Sequence, residues 1–207
     1  MRFLPTMRGL LFTISLIPGL VLAQTTHPLQ QTIDKVVTFQ AEFVQEQPEE
    51  QFFRVNRAFG EFYLARPGMM RWNYTRPDPQ QILVDGRHLW VYEPELAQVT
   101  VQRVSEIQGD IPLAWLLFEE PIEQTYRIIN AGERQGLTWY NLRPRSATFF
   151  QSIEVGLKDD QIKAVWMYQG PDEVTKVTFS NIQQNQPIAH EHFELQLDGN
   201  VDYFGEF

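Results

Sequence analysis

His190-Glu191-His192 sets two imidazoles two residues apart, a spacing at which one face of a strand can share a metal ion. No third ligand accompanies them, so the segment reads as exposed strand residues and no metal site is assigned. Glu119-Glu120 offers two carboxylates, but adjacent residues seldom converge on one bond. They also follow an expected helix whose C-terminal dipole disfavours negative charge, which makes a solvated loop the simpler reading. The G-x-S-x-G, H-E-x-x-H, P-loop and G-x-G-x-x-G patterns are absent. The chain also has no Cys, which removes thiol catalysis, thiolate metal sites, disulfides and thioether lipid anchoring together. Nothing here calls for an enzyme, and no cofactor is implied.

Arg66 is the residue out of place. In Gly60-Glu61-Phe62-Tyr63-Leu64-Ala65-Arg66 it is in phase with Phe62 and Leu64, which should face the apolar side of a sheet. A guanidinium keeps its proton, so burial there demands acceptors, and free carbonyls at a helix C-terminus could supply them. Hydrogen bonds from a charged donor are worth about 1.5–3 kcal/mol each, enough to hold a lid shut and still be overcome by a guest. The alternative is that Arg66 ends its strand and snorkels into water before Pro67-Gly68.

The elements that must position these residues are mostly strands. The pattern predicts strands over 39–47, 52–66, 69–75, 80–85, 88–92, 98–104, 126–130, 138–143, 149–157, 162–168, 174–182 and 192–197. Turn residues such as Asp85-Gly86, Glu93-Pro94-Glu95 and Lys158-Asp159-Asp160 join consecutive strands in an antiparallel meander. Helical spacing is confined to Pro28 to Val37 and to Asp110 to Phe118, the latter with Asp110 as N-cap and Pro112 in the first turn.

Met70, Trp72 and Tyr74 alternate with Arg71, Asn73 and Thr75, and Phe39, Ala41 and Phe43 with Gln40 and Glu42, as for a sheet with one wet face. A dozen strands with one apolar, aromatic face and only two short helices to cover it must curl. The expected fold is mainly β with helices (α+β): a strongly curved antiparallel sheet forming an incomplete barrel, with a helical lid over the concave apolar side. Such a hollow can receive an apolar guest, or its own side chains can simply pack on one another. Over 88–92 both faces are apolar, so pattern does not say which is inside.

Charge and the first residues bound the setting. The formal net charge is −9 with no basic stripe, which argues against nucleic-acid binding. Arg2 and Arg8, the apolar run Leu10 to Leu22 and the small residues at Val21-Leu22-Ala23 read as a signal peptide over residues 1–23, cut after Ala23. Residues 24–207 then form a single domain exported to the periplasm, with no stable membrane insertion and no linker or repeat to divide it.

Phe39-x-Ala-x-Phe43-x-Gln45, Gly60-Glu61-Phe62-x-Leu64-x-Arg66-Pro67-Gly68-x-Met70-Arg71-Trp72-x-Tyr74 and Pro77-x-x-Gln80-x-Ile82-x-x-Asp85-Gly86-x-x-Leu89-Trp90-x-Tyr92-x-Pro94 together resemble the outer-membrane lipoprotein carrier family, LolA. The likeness is weaker at Ile111-Pro112-Leu113 and from Phe149 to Asp202. It departs at Met69-Met70 and at the C-terminal end, where the proline before Gly199 is missing.

The resemblance implies a half-open barrel whose interior takes the acyl chains of triacylated lipoproteins. Cargo would come from an inner-membrane ATP-driven transporter and pass to an outer-membrane receptor. It also implies that Arg66 is the lid latch and that Met70 and Trp72 fall on apolar positions of the family; with the alternation, Phe43, Phe62, Leu64, Met70 and Trp72 are expected to contact acyl chains, and Ile111, Leu113 and Leu117 to belong to the lid of a monomeric, non-enzymatic carrier. A lipid-sensing or scaffolding module of the same fold, with no transport role, is the competing expectation. A carrier should co-purify with a lipoprotein, and a sensor with a regulatory protein.

Overall fold

The computed structural model describes residues 27–49, 54–170, 173–197 and 199–205. The expected signal peptide over 1–23 lies outside them. Among the described residues twelve strands form one sheet: β1 Thr38–Glu49, β2 Arg54–Ala65, β3 Met69–Arg76, β4 Gln80–Asp85, β5 His88–Glu93, β6 Gln98–Arg103, β7 Tyr126–Arg134, β8 Leu137–Pro144, β9 Ser152–Lys158, β10 Gln161–Tyr168, β11 Val174–Gln184 and β12 Asp202–Gly205. Their order is β12-β6-β5-β4-β3-β2-β1-β11-β10-β9-β8-β7, so β12 and β7 are the free edges and the sheet is not closed.

The sheet bends where the ladder slips. Register shifts fall between Gln40 and Glu42, Phe59 and Gly60, Ile162 and Ala164, and Asn130 and Gly132. An extra residue on one strand of a pair bends that strand and raises its twist, which turns a long sheet into a half-barrel. At Gly60 the approach is close: a Cβ there would collide with the Asn73 carbonyl oxygen and meet the Phe43 ring at 2.9 Å. Any side chain at 60 would force β3 and the Phe43 ring away.

The concave face carries Phe39, Ala41 and Phe43 of β1, Phe62 and Leu64 of β2, Met70 and Trp72 of β3, Val84 of β4 and Leu89 of β5. Helix α1, Pro28–Asp34, lies over it with Leu29 and Ile33 fully buried. Its proline sits in the first turn, and His27 Nδ1 accepts from the Leu29 N–H, so the helix begins with a satisfied donor. It is shorter than the expected 28–37, because Lys35 closes it and the chain bends at Val37 into β1.

Three sequence expectations fail for tertiary reasons. Residues 110–118 do not form one capped helix. The lid is a chain of short turns, α2 Val104–Ile107, a 3-10 turn at Gln108–Asp110, α3 Ala114–Leu117 and α4 Ile122–Thr125. Asp110 caps nothing: its Oδ1 accepts from the Phe149 N–H across the mouth of the hollow, and Leu113 turns into the left-handed region at φ 62°. Covering a curved surface suits several tilted turns better than one rod.

Residues 192–197 are not a strand either. His190–Phe193 is a 3-10 turn, and the chain runs on across the convex face before β12 pairs with β6, the one parallel pair among the described strands; the meander is also interrupted where β1 pairs with β11. Nor is that convex face simply wet. Phe193 is buried against Tyr63 and Leu83, and Leu195 packs on Tyr92 and Val99. This strap explains why 88–92 is apolar on both sides: Leu89 and Val91 belong to the hollow, Trp90 and Tyr92 to the strap.

Candidate functional site: a latched apolar hollow

The site begins with the end of β2. Arg66 follows Ala65, and its N–H bonds the Val37 carbonyl at 2.8 Å, which fixes the backbone from which the guanidinium projects. Nη1 donates to the carbonyl oxygens of Ile33 at 2.7 Å and Val36 at 3.2 Å, at the end of α1. Nη2 donates to the Phe118 carbonyl at 3.0 Å, just past α3. Ile33 is in the last turn of α1, where carbonyls lack their usual intrahelical partners, and Val36 and Phe118 lie just beyond the ends of α1 and α3. One side chain thus ties the sheet, α1 and the lid through three bonds, each from a charged donor.

Two further contacts hold the same corner. Gly68, in the β2–β3 turn at φ +84°, donates its N–H to the Leu117 carbonyl at 3.1 Å. Its conformation is one that L side chains resist. Gln30, buried on α1, accepts from the Ile122 N–H at 2.8 Å, joining α1 to α4 directly. In the sequence Gly68 is visible as half of the Pro67-Gly68 pair that follows Arg66, but its bond to the lid is not. Gln30 leaves no signal, since its importance lies in a partner 92 positions away.

Beneath these bonds the hollow is greasy and shut. Leu113, Leu116 and Leu117 are fully buried and share one cluster with Phe43, Phe62, Leu64, Met70 and Trp72; Ile111 joins it from the loop before α3. The Phe62 and Phe43 rings lie 4.6 and 4.9 Å from that of Trp72, and Phe179 and Tyr74 complete an aromatic floor. All nine residues singled out in sequence lie in or over this one hollow.

What open space remains is divided by the lid. A cavity of about 260 Å³ runs along α3 and α4, lined by Trp115, Phe118, Ile122 and Tyr126. Another of about 220 Å³ opens at the mouth between the sheet and the loop around Asp110 and Pro112. Drug-sized ligands occupy sites of about 300–1,000 Å³, so longer apolar chains enter only if the lid moves.

The mouth is ringed by polar groups over an apolar floor. Tyr74 Oη donates to Gln45 Oε1 at 2.9 Å, and Gln47 Nε2 donates to Thr175 Oγ1 at 3.1 Å. Burial pushes the Tyr74 phenol up to about 12, so it stays a neutral donor. Two indole donors, those of Trp72, a residue that lines the mouth, and of Trp115 on the lid, are buried without a hydrogen-bond partner. Such a group carries a penalty of about 1–3 kcal/mol.

The two features that suggested chemistry are elsewhere. His192 stacks on Tyr63 with ring centroids 4.2 Å apart, on the convex side, and His190 is exposed in the 3-10 turn rather than on a strand. Among the described residues no group of three or more His, Cys, Asp or Glu could hold a metal ion. Glu119 and Glu120 are exposed beyond α3.

The model of a family described as outer membrane lipoprotein carrier protein LolA matches residues 34–196. The chain belongs to the LolA family. Its relatives carry the same description: the outer-membrane lipoprotein carrier protein of Nitrosomonas europaea is 30% identical over 195 residues, spanning 93% of this chain and 95% of that one. That of Methylobacillus flagellatus is 28% identical over 207 residues, the whole of both chains. In fold, this LolA-family half-barrel is similar to the crystal structure of an uncharacterized conserved protein from Thermus thermophilus, with a TM-score of 0.53 at 12% identity over 86% of this chain and 99% of that one. No helix among the described residues is long and apolar enough to cross a membrane.

Proposed function

We propose that this chain is a monomeric, non-enzymatic carrier working in the periplasm, which covers the acyl chains of triacylated lipoproteins between an inner-membrane ATP-driven transporter and an outer-membrane receptor. Residues 1–23 are its export signal and 24–207 its single domain. Phe43, Phe62, Leu64, Met70 and Trp72 contact the acyl chains, Ile111, Leu113 and Leu117 move with the lid, and Arg66 is the latch. The observation that carries the reading is Arg66 bridging α1 and the lid across an apolar hollow.

The energetics suit that task. Each methylene withdrawn from water is worth about 0.8 kcal/mol, so three free acyl chains in water are prohibitive and a carrier must cover them. It must also let go. Cargo replaces Leu113, Leu116 and Leu117 against the aromatic floor, an exchange of apolar contact for apolar contact, while opening the lid sacrifices the hydrogen bonds of Arg66. Re-forming those bonds on closure favours release, so the latch lowers affinity for the sake of transfer.

The test is a photo-crosslinker placed at Met70, on the concave face, and at Glu61, exposed on the convex face. Labelling by lipoprotein at 70 and not at 61 is expected. Equal labelling at both positions, or none at 70, removes the hollow as the cargo site.

A further inference from the structure

We propose that the mouth of the hollow recognises the ester linkage of the cargo, with Trp72 Nε1 donating a hydrogen bond to an acyl ester carbonyl. The inference rests on the carrier reading above and adds to it a polar contact that selects acyl esters over plain alkyl chains.

Trp72 has two memberships. It belongs to the apolar core of the hollow, and it also borders the mouth cavity with Ile82, Met167 and Pro112 under the polar rim of Gln45 and Thr175. A lipid-bearing chain has the same division: alkyl tails that belong deep in the hollow, then carbonyls, then a glyceryl and peptide portion that belongs in water. A residue at the boundary of core and mouth is where the carbonyl should fall.

The chemistry of the unmatched group agrees. Trp72 is 3% exposed, and its indole N–H, a donor only, has no partner. The rings around it, Phe43, Phe62 and Phe179, offer no acceptor, and the hydroxyl of Tyr74 donates to Gln45 Oε1 without accepting from the indole. What the position lacks is an acceptor without a proton to place, and an ester carbonyl is such a group. A phenylalanine would pack there without the penalty of an orphaned donor. The unmatched N–H weakens the empty closed state and is satisfied when cargo enters, so it opposes the latch and favours loading.

The test compares two synthetic lipopeptides of identical saturated chain length, an S-(2,3-diacyloxypropyl)cysteine diester and the corresponding dialkyl diether. In a hollow with no donor the diether binds tighter, because burying ester carbonyls is costly. With the Trp72 N–H as donor, the diester should bind about five-fold tighter. Its binding should also move the Trp72 indole proton downfield in an NMR spectrum, and the diether should leave that proton in place. Trp72→Phe should erase the preference; the comparison within the unaltered protein stands even if that variant folds poorly. Equal affinities or a preference for the diether overturn the ester contact and leave the carrier reading intact. Failure of both lipopeptides to bind overturns the two together.

Discussion

Two arginines five residues apart, Arg66 half-buried and Arg71 buried, lie on opposite faces of one sheet and hold different things. Arg66, at the end of β2, donates to carbonyls of α1 and the lid on the concave side. Arg71, in β3, lies under the strap on the convex side, 4% exposed. Its Nη1 donates to the carbonyls of His192 at 3.4 Å and Glu194 at 3.3 Å, and its Nη2 to the side-chain oxygens of Gln81 at 3.0 Å and Gln196 at 3.5 Å. Burial lowers the Arg71 pKa from its usual high value, and the neighbouring Tyr63 and Glu61 act against that shift.

The contrast lies in what can take the place of each cover. On the concave side the groups under Arg66 are leucines on rings, contacts that on the proposed reading an acyl chain replaces at little cost. On the convex side the cover is partly polar, with backbone carbonyls and two glutamine amides around a charge, and no apolar guest satisfies those. The strap is also continuous with β12, which pairs with β6 from Asp202 to Gly205. Nearly the same bonding chemistry therefore ties down an apolar lid on one face and a partly polar strap on the other.

The sharpest way to break this contrast is at the latch. Arg66→Leu should still load lipoprotein but deliver it to an outer-membrane receptor at least ten-fold more slowly, since even one charged-donor bond lost from the closed state is worth about that factor. Delivery at the unaltered rate in a reconstituted assay removes Arg66 from the mechanism. Arg71→Met should do the reverse. Loading and delivery stay as they were, while stability falls by about 2 kcal/mol, or roughly 4–8 °C in melting temperature, because the strap loses its partners. Slowed delivery in Arg71→Met, without general unfolding, would mean that the faces are coupled.

The smallest effect is expected at the β4–β5 turn. Burial raises the Asp85 carboxyl, but the N–H groups of His88 and Arg87 and the Trp90 indole outweigh it, so the net shift is downward. A carboxylate with a depressed native pKa adds stability that is complete above its unfolded value, about 3.9, and is lost as pH falls through the native one. Asp85→Asn should accordingly lower the melting temperature at pH 7 by about 2 °C or less and narrow that gap below pH 4. A gap unchanged by acid would show that this turn does not depend on the charge.

Much of the concave face could be read from alternation alone. Met70, Trp72, Phe62 and Leu64 are placed on one side by the period of two, and that period also put Arg66 among them. The need of a guanidinium for acceptors then pointed to a helix end, and the carbonyls of Ile33 and Val36 are such an end. The same rule misread Arg71. Alternation assigned it to a wet face because a period of two says only that the face is opposite, not what lies over it.

What local sequence could not contain was anything resting on distant pairing. The strap over Tyr63 and Leu83, the parallel addition of β12 to β6, the Gln30 bond to Ile122 and the breaking of 110–118 into turns all depend on surfaces made by residues far along the chain. Residue order set the period of each strand and therefore which side chains travel together, a property of backbone geometry within a few residues. Whether a face meets water, a lid or a strap was settled when the sheet bent and brought remote segments within hydrogen-bonding reach, since burial belongs to the assembled surface rather than to any one strand.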